Sequence, residues 1–588
     1  MGERIIGHRR NSRVAAAAAA LLLAAGLAGC SSDRAAGPSV TDLTAADRAA
    51  VRDGGTVRWA VDAVPATLNV YQPAATPDSG LVARALLPSL FRLDEHARPS
   101  ADPDYLVSAE STPPGQSPQT VTYRLNPKAV WSDGTPLSAA DFTAQWKALA
   151  GTDAAYQTDH PAGYDRIESV AQGADPQEVR VELRQPYAAW RELFSPLYPA
   201  AATGTPEAFN QPLADSFRTS AGPFTLQTYD AVGGHALLVR NPRWWGDAAK
   251  AEAIDFLAVP AATRLDALDQ GKLDVAGLTD SVDRAVPAGG KAAAPPDAAA
   301  LAEASAQALK RAETLPGLRL HRAPAAAVTQ LTLNSSRGPL TDPAVRRAVA
   351  KAVDRQKAAT AALGPLGLSA VPLGNHLLVT GQDGYRDNSA AVGGTGSAEL
   401  LDQAGWKGSG GTRTKDGKEL DLGLLIPEGS TTARRTADAL AADLAAAGIT
   451  VHPQPVPVDG FVKDHLATGD FDLALFSWPA SAYPGGEERA LYTKPRPGPD
   501  GIPVVGLNYA RTGSEELDQL LDRAGRELDP AAQRTLLQEA DARIWQLAHS
   551  VPLYQRPDLV AVRDTVAGVG AYGFTTPRYQ DLGFRKDG

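Results

Sequence analysis

The stretch YRLNPKAVWSDGTPLSAADF, from Tyr123 to Phe142, indicates the fold most directly, because it joins a strand, a tight turn and a helix. The Asp-Gly pair at Asp133 tolerates the left-handed backbone that a tight turn needs. Ser138 and Asp141 fit the capping box Ser/Thr-x-x-Asp/Glu, in which the hydroxyl accepts a backbone N–H and the carboxylate reaches back. We therefore predict that the polar residues of this stretch serve stability and not catalysis.

Strand and helix patterns alternate on both sides of this stretch. QTVTYRL (119–125) and EVRVELR (178–184) alternate apolar and polar side chains, as half-buried strands do. TADALAADLAAAG (436–448) has helical spacing and a glycine stop. SEELDQLLDRAGRELD (514–529) and PAAQRTLLQEADARIWQLAHS (530–550) predict amphipathic helices. This mixture predicts an α/β protein with helices packed on sheets.

Composition and motifs exclude several functional classes. The chain has 588 residues, of which 44% are apolar and 21% are charged, which is typical of a globular protein with sizeable cores. Its net charge of −10 does not favour nucleic-acid binding, which would need a basic face. The sequence has no GxSxG, HExxH or GxxxxGK(S/T) motif, and its nine histidines lack metal-ligand spacing. We therefore predict a protein that is not an enzyme and binds no cofactor or metal.

The N-terminus has the pattern of an export signal. A positive segment, HRRNSR (8–13), precedes an apolar run that is too short for a comfortable membrane span. The run ends in LAGC, and its Cys30 is the only cysteine of the chain. LAGC resembles the lipobox of bacterial lipoproteins, in which the cysteine becomes the first residue and carries lipid. We predict a signal peptide over residues 1–29, lipid attachment at Cys30, and a small, polar tether over residues 30–53.

Several further blocks occur in a fixed order between residues 53 and 556. They are DGGTVRWAVDAVPATLNVY (53–71), SAGPFTLQTYDAVGGHALLVRNPRWWG (220–246), LDALDQGKLDVAG (265–277), LTLNSSRGPLTDPAVRRAVAKAVDR (331–355), ELLDQAGW (399–406), GDFDLALFSW (469–478) and HSVPLYQR (549–556). Together with the stretch at 123–142, they resemble the family 5 extracellular solute-binding proteins, the peptide- and nickel-binding group that serves ABC importers. The chain also resembles an actinobacterial offshoot of that family that acts in mannolipid and envelope assembly.

The resemblance implies an α/β fold, a two-lobed clamshell of the type II periplasmic-binding class with an extra inserted subdomain. Lobe I would comprise residues 54–85, residues 216–325 with an Ala/Pro-rich insertion at 284–315, and residues 546–588; the inserted subdomain would comprise 86–215, and lobe II 326–545. A ligand between the lobes would favour the closed state. The permease and ATPase of an ABC importer would recognise that state.

The loop after GDFD carries a departure from the family pattern. In the resembled family, a Trp in this loop is followed by an Asp that holds the free amine of a peptide. Here Trp478 matches the Trp, and Ser481 or one of its neighbours stands where that Asp would fall. We therefore predict that the SWPASAY segment holds no free amine through a carboxylate, because a buried ammonium needs a charged partner. Glu487 remains the alternative carboxylate of this loop.

Other residues are candidates for contact with the ligand. Trp478 and Tyr483 are aromatic surfaces for stacking on an extended chain or a sugar ring, with packing in the core or hinge as the alternative. Asn69 and Tyr71 follow the first strand, and Asn334 lies at the crossover into lobe II. Polar groups at such places orient a ligand, although Asn334 equally suits backbone capping.

Two classes of function remain open at this point. The first is a monomeric lipoprotein on the extracytoplasmic face of the membrane that captures a peptide or similar-sized solute and delivers it to an ABC permease and ATPase. The second is a lipoprotein of the same fold that binds a glycolipid or a protein and acts in envelope assembly without transport. The missing Asp and the Ala/Pro-rich insertion fit the second class better than a standard peptide binder.

Overall fold

The computed structural model describes residues 40–159, 161–211, 219–286, 297–408, 411–486, 488–498, 501 and 503–587. Its α-helices are α1 (Pro77–Leu86), α2 (Ala139–Leu149), α3 (Ala200–Thr203), α4 (Pro206–Asn210), α5 (Arg264–Asp269), α6 (Thr279–Asp283), α7 (Ala298–Thr314), α8 (Pro343–Ala352), α9 (Arg355–Leu363), α10 (Ser397–Gln403), α11 (Thr431–Ala446), α12 (Arg489–Tyr492), α13 (Glu515–Arg526) and α14 (Pro530–Leu547).

Its strands are β1 (Asp42–Leu43), β2 (Thr56–Val61), β3 (Phe91–Leu93), β4 (Pro99–Ala101), β5 (Leu106–Ser111), β6 (Gln119–Leu125), β7 (Ile167–Gln172), β8 (Glu178–Leu183), β9 (Phe224–Asp230), β10 (His235–Arg240), β11 (Ala253–Ala258), β12 (Val275–Gly277), β13 (Leu318–Leu333), β14 (Thr414–Lys415), β15 (Lys418–Glu419), β16 (Asp421–Pro427), β17 (Thr450–Val456), β18 (Leu473–Pro479), β19 (Arg496–Pro497), β20 (Pro503–Val504), β21 (Ser550–Arg563), β22 (Val566–Ala567), β23 (Gly570–Ala571) and β24 (Gly583–Phe584).

A ten-stranded sheet runs through both lobes in the order β17-β16-β18-β13-β21-β12-β2-β11-β10-β9. Its two long central strands, β13 and β21, pair antiparallel along their length. The register shifts between Pro324 and Val328, and Pro324 lies opposite Pro557. Because proline lacks the N–H of a ladder hydrogen bond, pairing is interrupted at this point. The chain therefore crosses between the lobes within β13 and again within β21.

Two large hydrophobic cores lie on either side of this crossing. The first contains Trp59 of β2 together with Tyr123 and Phe142 of the inserted subdomain, so lobe I and that subdomain share one continuous core. The subdomain has its own four-stranded sheet, in the order β5-β6-β8-β7. The second core is built from β16, α8, α9 and α11. The α/β class and the two lobes are thus as predicted.

The stretch around Ser138 folds as predicted and does more than cap a helix. Ser138 N–H donates to Asp141 Oδ2 at 2.9 Å, and Ala140 N–H donates to Ser138 Oγ at 3.3 Å. The Asp141 carboxylate also accepts the indole N–H of Trp131 at 3.3 Å and the backbone N–H of Ala200 at 2.8 Å. Burial raises the pKa of Asp141. This side chain therefore joins the turn, α2 and α3.

The predicted tether over residues 30–53 is too long at its C-terminal end. Residues 40–53 belong to the folded body: β1 pairs with β23, and Val51 is 1% exposed. The buried ring of His321 lies 2.8 Å from the Asp42 carboxylate and 2.8 Å from the Thr44 hydroxyl. The polar composition of the segment concealed these anchors, which form only against distant strands.

The predicted signal peptide and Cys30 lie outside the described residues. Within the described part of the chain, no helix has both the length and the apolar character needed to cross a membrane. The Ala/Pro-rich insertion does contain a helix, α7, whose Leu309 and Ala312 are buried. Helix α11 begins at Thr431 rather than Thr436, because the Ser430 hydroxyl caps it by accepting the Ala433 N–H.

Candidate functional site

A cavity of about 700 Å³ lies between the two lobes. Lobe I contributes residues at the carboxyl ends of its parallel strands, such as Asp62 after β2 and Gly277 of β12. Lobe II contributes residues 479–483, which begin at the last residue of β18. The C-terminal segment of the chain contributes residues 572–580. Ligands of α/β proteins bind outside the carboxyl ends of strands, so the cavity stands where the fold class places a ligand.

The lobes also touch each other away from β13 and β21, the two strands that cross between them. The Arg98 guanidinium donates twice to the Asp383 carboxylate, at 2.8 Å each. Next to this pair, His96 Nδ1 lies 2.9 Å from the carbonyl oxygen of Gly381. The N–H of Ala188, in the inserted subdomain, donates to the carbonyl of Gly525 on α13 at 3.0 Å. The structure therefore represents a closed arrangement of the two lobes.

Most charged side chains that line the cavity are neutralised within the protein. Arg92 Nε donates to Asp102 at 2.7 Å, and its Nη2 lies 2.5 Å from Asp104. Arg264 Nη2 donates to Asp62 at 2.6 Å. Burial raises the pKa of Asp102 more strongly than Arg92 lowers it. These ion pairs shape the wall of the cavity and leave little net charge for a ligand to meet.

Two further carboxylates of the wall have no such guanidinium partner. Asp78, in the first turn of α1, accepts the backbone N–H groups of Asp62 at 2.9 Å and Ala63 at 3.4 Å, and burial raises its pKa. The carboxylate of Asp558, on β21, accepts no hydrogen bond and forms no ion pair with any described residue. Burial raises the pKa of Asp558 to about 6, while nearby Arg556 lowers it.

Ser481 and Tyr483, two of the predicted ligand contacts, line the cavity. The Ser481 hydroxyl accepts the N–H of Tyr483 at 2.9 Å, and the Ser481 carbonyl accepts Gln382 Nε2 at 2.8 Å. The Tyr483 ring packs on the lobe I core and also borders a second cavity of about 340 Å³ beside Pro530. Glu487, the alternative carboxylate of this loop, lies outside the described residues.

Trp478 packs inside lobe II and does not line the cavity. Its ring stacks on Tyr509, with centroids 5.6 Å apart and planes 18° apart, and meets Phe476 edge-on at 5.5 Å. One face of the ring is therefore covered by Tyr509. The alternative of packing fits this residue better.

Asn69 and Tyr71, predicted from the loop after the first strand, do not line this cavity. Asn69 is fully buried, and its side-chain N–H donates to the carbonyl of Phe209 at 3.2 Å. The Tyr71 hydroxyl donates to the carbonyl of Pro196 at 3.0 Å. Their polar groups hold the loop after β2 against the inserted subdomain, so these groups already have protein partners.

Asn334 is a backbone cap at the end of β13, the alternative that its sequence position left open. Its side-chain N–H groups donate to the carbonyls of Gly469 at 3.0 Å and Phe471 at 2.8 Å. Its side-chain oxygen accepts the N–H of Ser336 at 3.0 Å. Because donors and acceptor are all used, the fully buried Asn334 is not placed to orient a ligand.

Sequence reasoning missed the charged wall of the cavity. Asp62 had a usable signal, because it directly follows a strand whose carboxyl end faces the site. Asp558 had a weaker one, as a charged residue directly before the apolar run LVAV (559–562). Arg92 had none, since only folding brings Asp102 and Asp104 to it. The described residues hold no group of three or more His, Cys, Asp or Glu side chains placed to bind a metal.

Comparison with known families matches this architecture. The model for bacterial extracellular solute-binding proteins, family 5 Middle, matches residues 108–496. The chain belongs to the family 5 extracellular solute-binding proteins. This family 5 protein is 34% identical, over 96% of its length and 93% of the relative's, to the oligopeptide-binding protein OppA of Mycobacterium tuberculosis. Its relatives are thus solute-binding proteins and not enzymes.

Two more comparisons concern fold and relationship. The crystal structure of the periplasmic EDTA-binding protein EppA superposes with a TM-score of 0.78 at 25% identity, covering 93% of this chain and 99% of that one. This likeness confirms the two-lobed type II fold. The probable monoacyl phosphatidylinositol tetramannoside-binding protein LpqW of Mycobacterium tuberculosis is 29% identical over 56% of this chain and 48% of its own length. That match supports the relationship to the actinobacterial offshoot.

Proposed function

We propose that this family 5 protein is a lipid-anchored solute-binding protein on the extracytoplasmic face of the membrane. It captures a peptide, or a solute of similar size, between its lobes and delivers it to an ABC importer. The single observation that carries the proposal is the cavity of about 700 Å³ lined by both lobes. Small-molecule sites have volumes of about 300–1,000 Å³, so the cavity suits a solute of that class.

The hinge strands supply the mechanism of capture. β13 and β21 belong to both lobes, and their pairing is interrupted beside Pro324 and Pro557. Rotation about this point separates the Pro479–Tyr483 segment from the lobe I wall. A solute that contacts both lobes binds the closed state better than the open one and shifts the equilibrium toward closure. The permease would then recognise the closed surface.

Two observations support a peptide as the solute. A relative that matches nearly the whole chain carries the name oligopeptide-binding protein. In addition, Tyr483 presents an aromatic ring to the cavity, which suits stacking on the side chains of an extended ligand. The absence of Asp from the SWPASAY segment means that this segment does not hold the ligand through an ion pair.

The test is direct binding of short peptide pools to the purified full-length protein. Thermal unfolding should shift upward with peptide concentration, because ligand bound only to the native state stabilises it by RT ln(1 + [L]/Kd). Calorimetry should show saturable binding for the same pools. An unchanged melting temperature with every pool, together with no heat of binding, would contradict peptide capture.

A second function has one specific observation in its favour. The match to the tetramannoside-binding protein LpqW covers more than half of this chain. The same melting assay with phosphatidylinositol mannoside in detergent micelles tests this alternative against empty micelles of the same detergent. A shift with the mannolipid but not with peptides would favour a role in envelope assembly over transport.

A further inference from the structure

Asp558 occupies an unusual place in the central sheet. It lies on β21 opposite Ala323 of β13, next to the proline pair at which the ladder is interrupted. Val560, two positions further along the same strand, also lines the cavity. Alternate residues of a strand share a face, so Asp558 and Val560 both face the space between the lobes. Asp558 therefore lines the cavity beside the interruption of the β13–β21 ladder.

Only two charged side chains of the cavity wall lack a partner among the described residues, Asp558 and Arg84. Arg84 is exposed, so water solvates its guanidinium. Asp558 is partly buried, and its ordinary pKa is shifted upward by desolvation. An unpaired carboxylate in such a place is costly and calls for a compensating donor.

Among the residues that the structure describes, the elements around Asp558 offer no such donor. The nearest cation, Arg556 on the same strand, is paired with Asp280 of α6 at 3.3 Å. The next backbone N–H along the strand, that of Leu559, donates to the Thr279 hydroxyl at 3.0 Å. In lobe II, the segment that faces the cavity (residues 479–483) carries no charged residue. The described residues therefore leave this carboxylate open to a cation carried by a captured solute.

We propose that the Asp558 carboxylate receives an ammonium group of the captured solute when the lobes close. The inference rests on the proposed function, solute capture in the cavity, and adds the chemical class of the solute: one that carries a primary amine. Both a peptide N-terminus and a lysine side chain present this group. A charge-assisted hydrogen bond to a partly buried carboxylate is stronger than one between neutral groups, so the residue selects for the cation.

The test compares wild type, Asp558→Asn and the control Asp564→Asn, which removes an exposed carboxylate just beyond the same strand. Three pools of short peptides serve as probes: lysine-free with a free N-terminus, the same peptides N-acetylated, and N-acetylated peptides that contain lysine. Calorimetry measures affinity for each pool. Thermal unfolding of each variant establishes that it is folded before binding is compared.

Wild type and Asp564→Asn should bind at least one amine-bearing pool about 10- to 100-fold more tightly than the lysine-free acetylated pool, the difference typical of a hydrogen bond to a charged group. Asp558→Asn should lose that preference. Preference for the free N-terminus or for lysine identifies the source of the ammonium.

Two results would overturn the inference while leaving solute capture intact. One is equal affinity of wild type for all three pools, and the other is a preference that survives in folded Asp558→Asn. Failure of wild type to bind any pool would overturn both the inference and peptide capture, which separates the two proposals.

Discussion

Arg98 and Asp383, which are 285 positions apart in the sequence, form a bidentate ion pair with both hydrogen bonds at 2.8 Å. Arg98 precedes β4 in the inserted subdomain, and Asp383 belongs to a loop of lobe II. The pair lowers the pKa of Asp383 and raises that of Arg98, because each charge favours the charged form of the other. The pair joins the inserted subdomain to lobe II in the arrangement that the structure shows.

We expect Arg98→Ala to favour the open state and to weaken ligand affinity by less than about fivefold, because exposed ion pairs contribute little. The effect should shrink at high salt, since salt screens exposed charges. Small-angle scattering of the ligand-free protein and calorimetry measure the two quantities. Arg124→Ala is the matched control, because Arg124 pairs with Asp175 at 2.8 Å within one subdomain. An equal effect of both substitutions would argue against a role in closure.

Removal of the cap at Ser138 should affect stability alone. Ser138→Ala should lower the free energy of unfolding by about 1 kcal/mol, the usual loss for an N-cap. Asp141→Ala should cost more, about 3 kcal/mol, because it leaves the N–H groups of Ser138, Ala200 and Trp131 without their acceptor. Denaturant unfolding measures both. A Ser138→Ala protein of normal stability but reduced ligand affinity would reopen the site interpretation.

Asp558 should make the ligand-free protein less stable as pH rises. Its pKa in the folded state is raised from 3.8 to about 6 by burial, so between those values the native state binds more protons than the unfolded state. Stability from this group is therefore lost as pH rises from about 4 to about 6. Asp558→Asn should be up to about 3 kcal/mol more stable than wild type at pH 7 and about equal at pH 4. A variant that is less stable at pH 7 would contradict this.

Tyr483 and Trp478 should separate binding from stability. Tyr483→Ala removes a ring that lines the cavity and should weaken peptide binding by about tenfold or more, while Tyr483→Phe should retain most of it. Trp478→Ala removes a ring stacked on Tyr509 and should destabilise lobe II by about 3 kcal/mol with little change in affinity. Calorimetry measures the peptide affinity of all three variants, and denaturant unfolding measures their stability. The reverse pattern would place the aromatic contact at Trp478.

Cys30 should be the point of membrane attachment. A Cys30→Ser variant, expressed in its own host, should move from the membrane fraction to the soluble exported fraction and lose lipid labelling. Stable retention of the wild type implies more than one acyl chain, because a single chain binds a membrane only marginally. Unchanged membrane association and labelling of the variant would refute the anchor.

Short-range chemistry made much of the fold predictable from sequence. The capping box of Ser138 and Asp141 and the period-two strands at 119–125 and 178–184 are local patterns, and the structure contains all of them. Ser481 and Tyr483 were proposed from a family pattern, and both line the cavity. By contrast, the part of the tether after Val40 was mispredicted, since its anchors on His321 and β23 are distant in sequence.

The amino-acid sequence by itself thus determined the class, the order of the elements and the loop that reaches the cleft. Only the tertiary structure decided which polar groups remain available there. The side-chain amides of Asn69 and Asn334 donate to backbone carbonyls, whereas the Asp558 carboxylate has no partner within the described part of the chain. The physical reason is that the partner of a polar group is set by packing between segments hundreds of residues apart, and no local pattern records which segments meet.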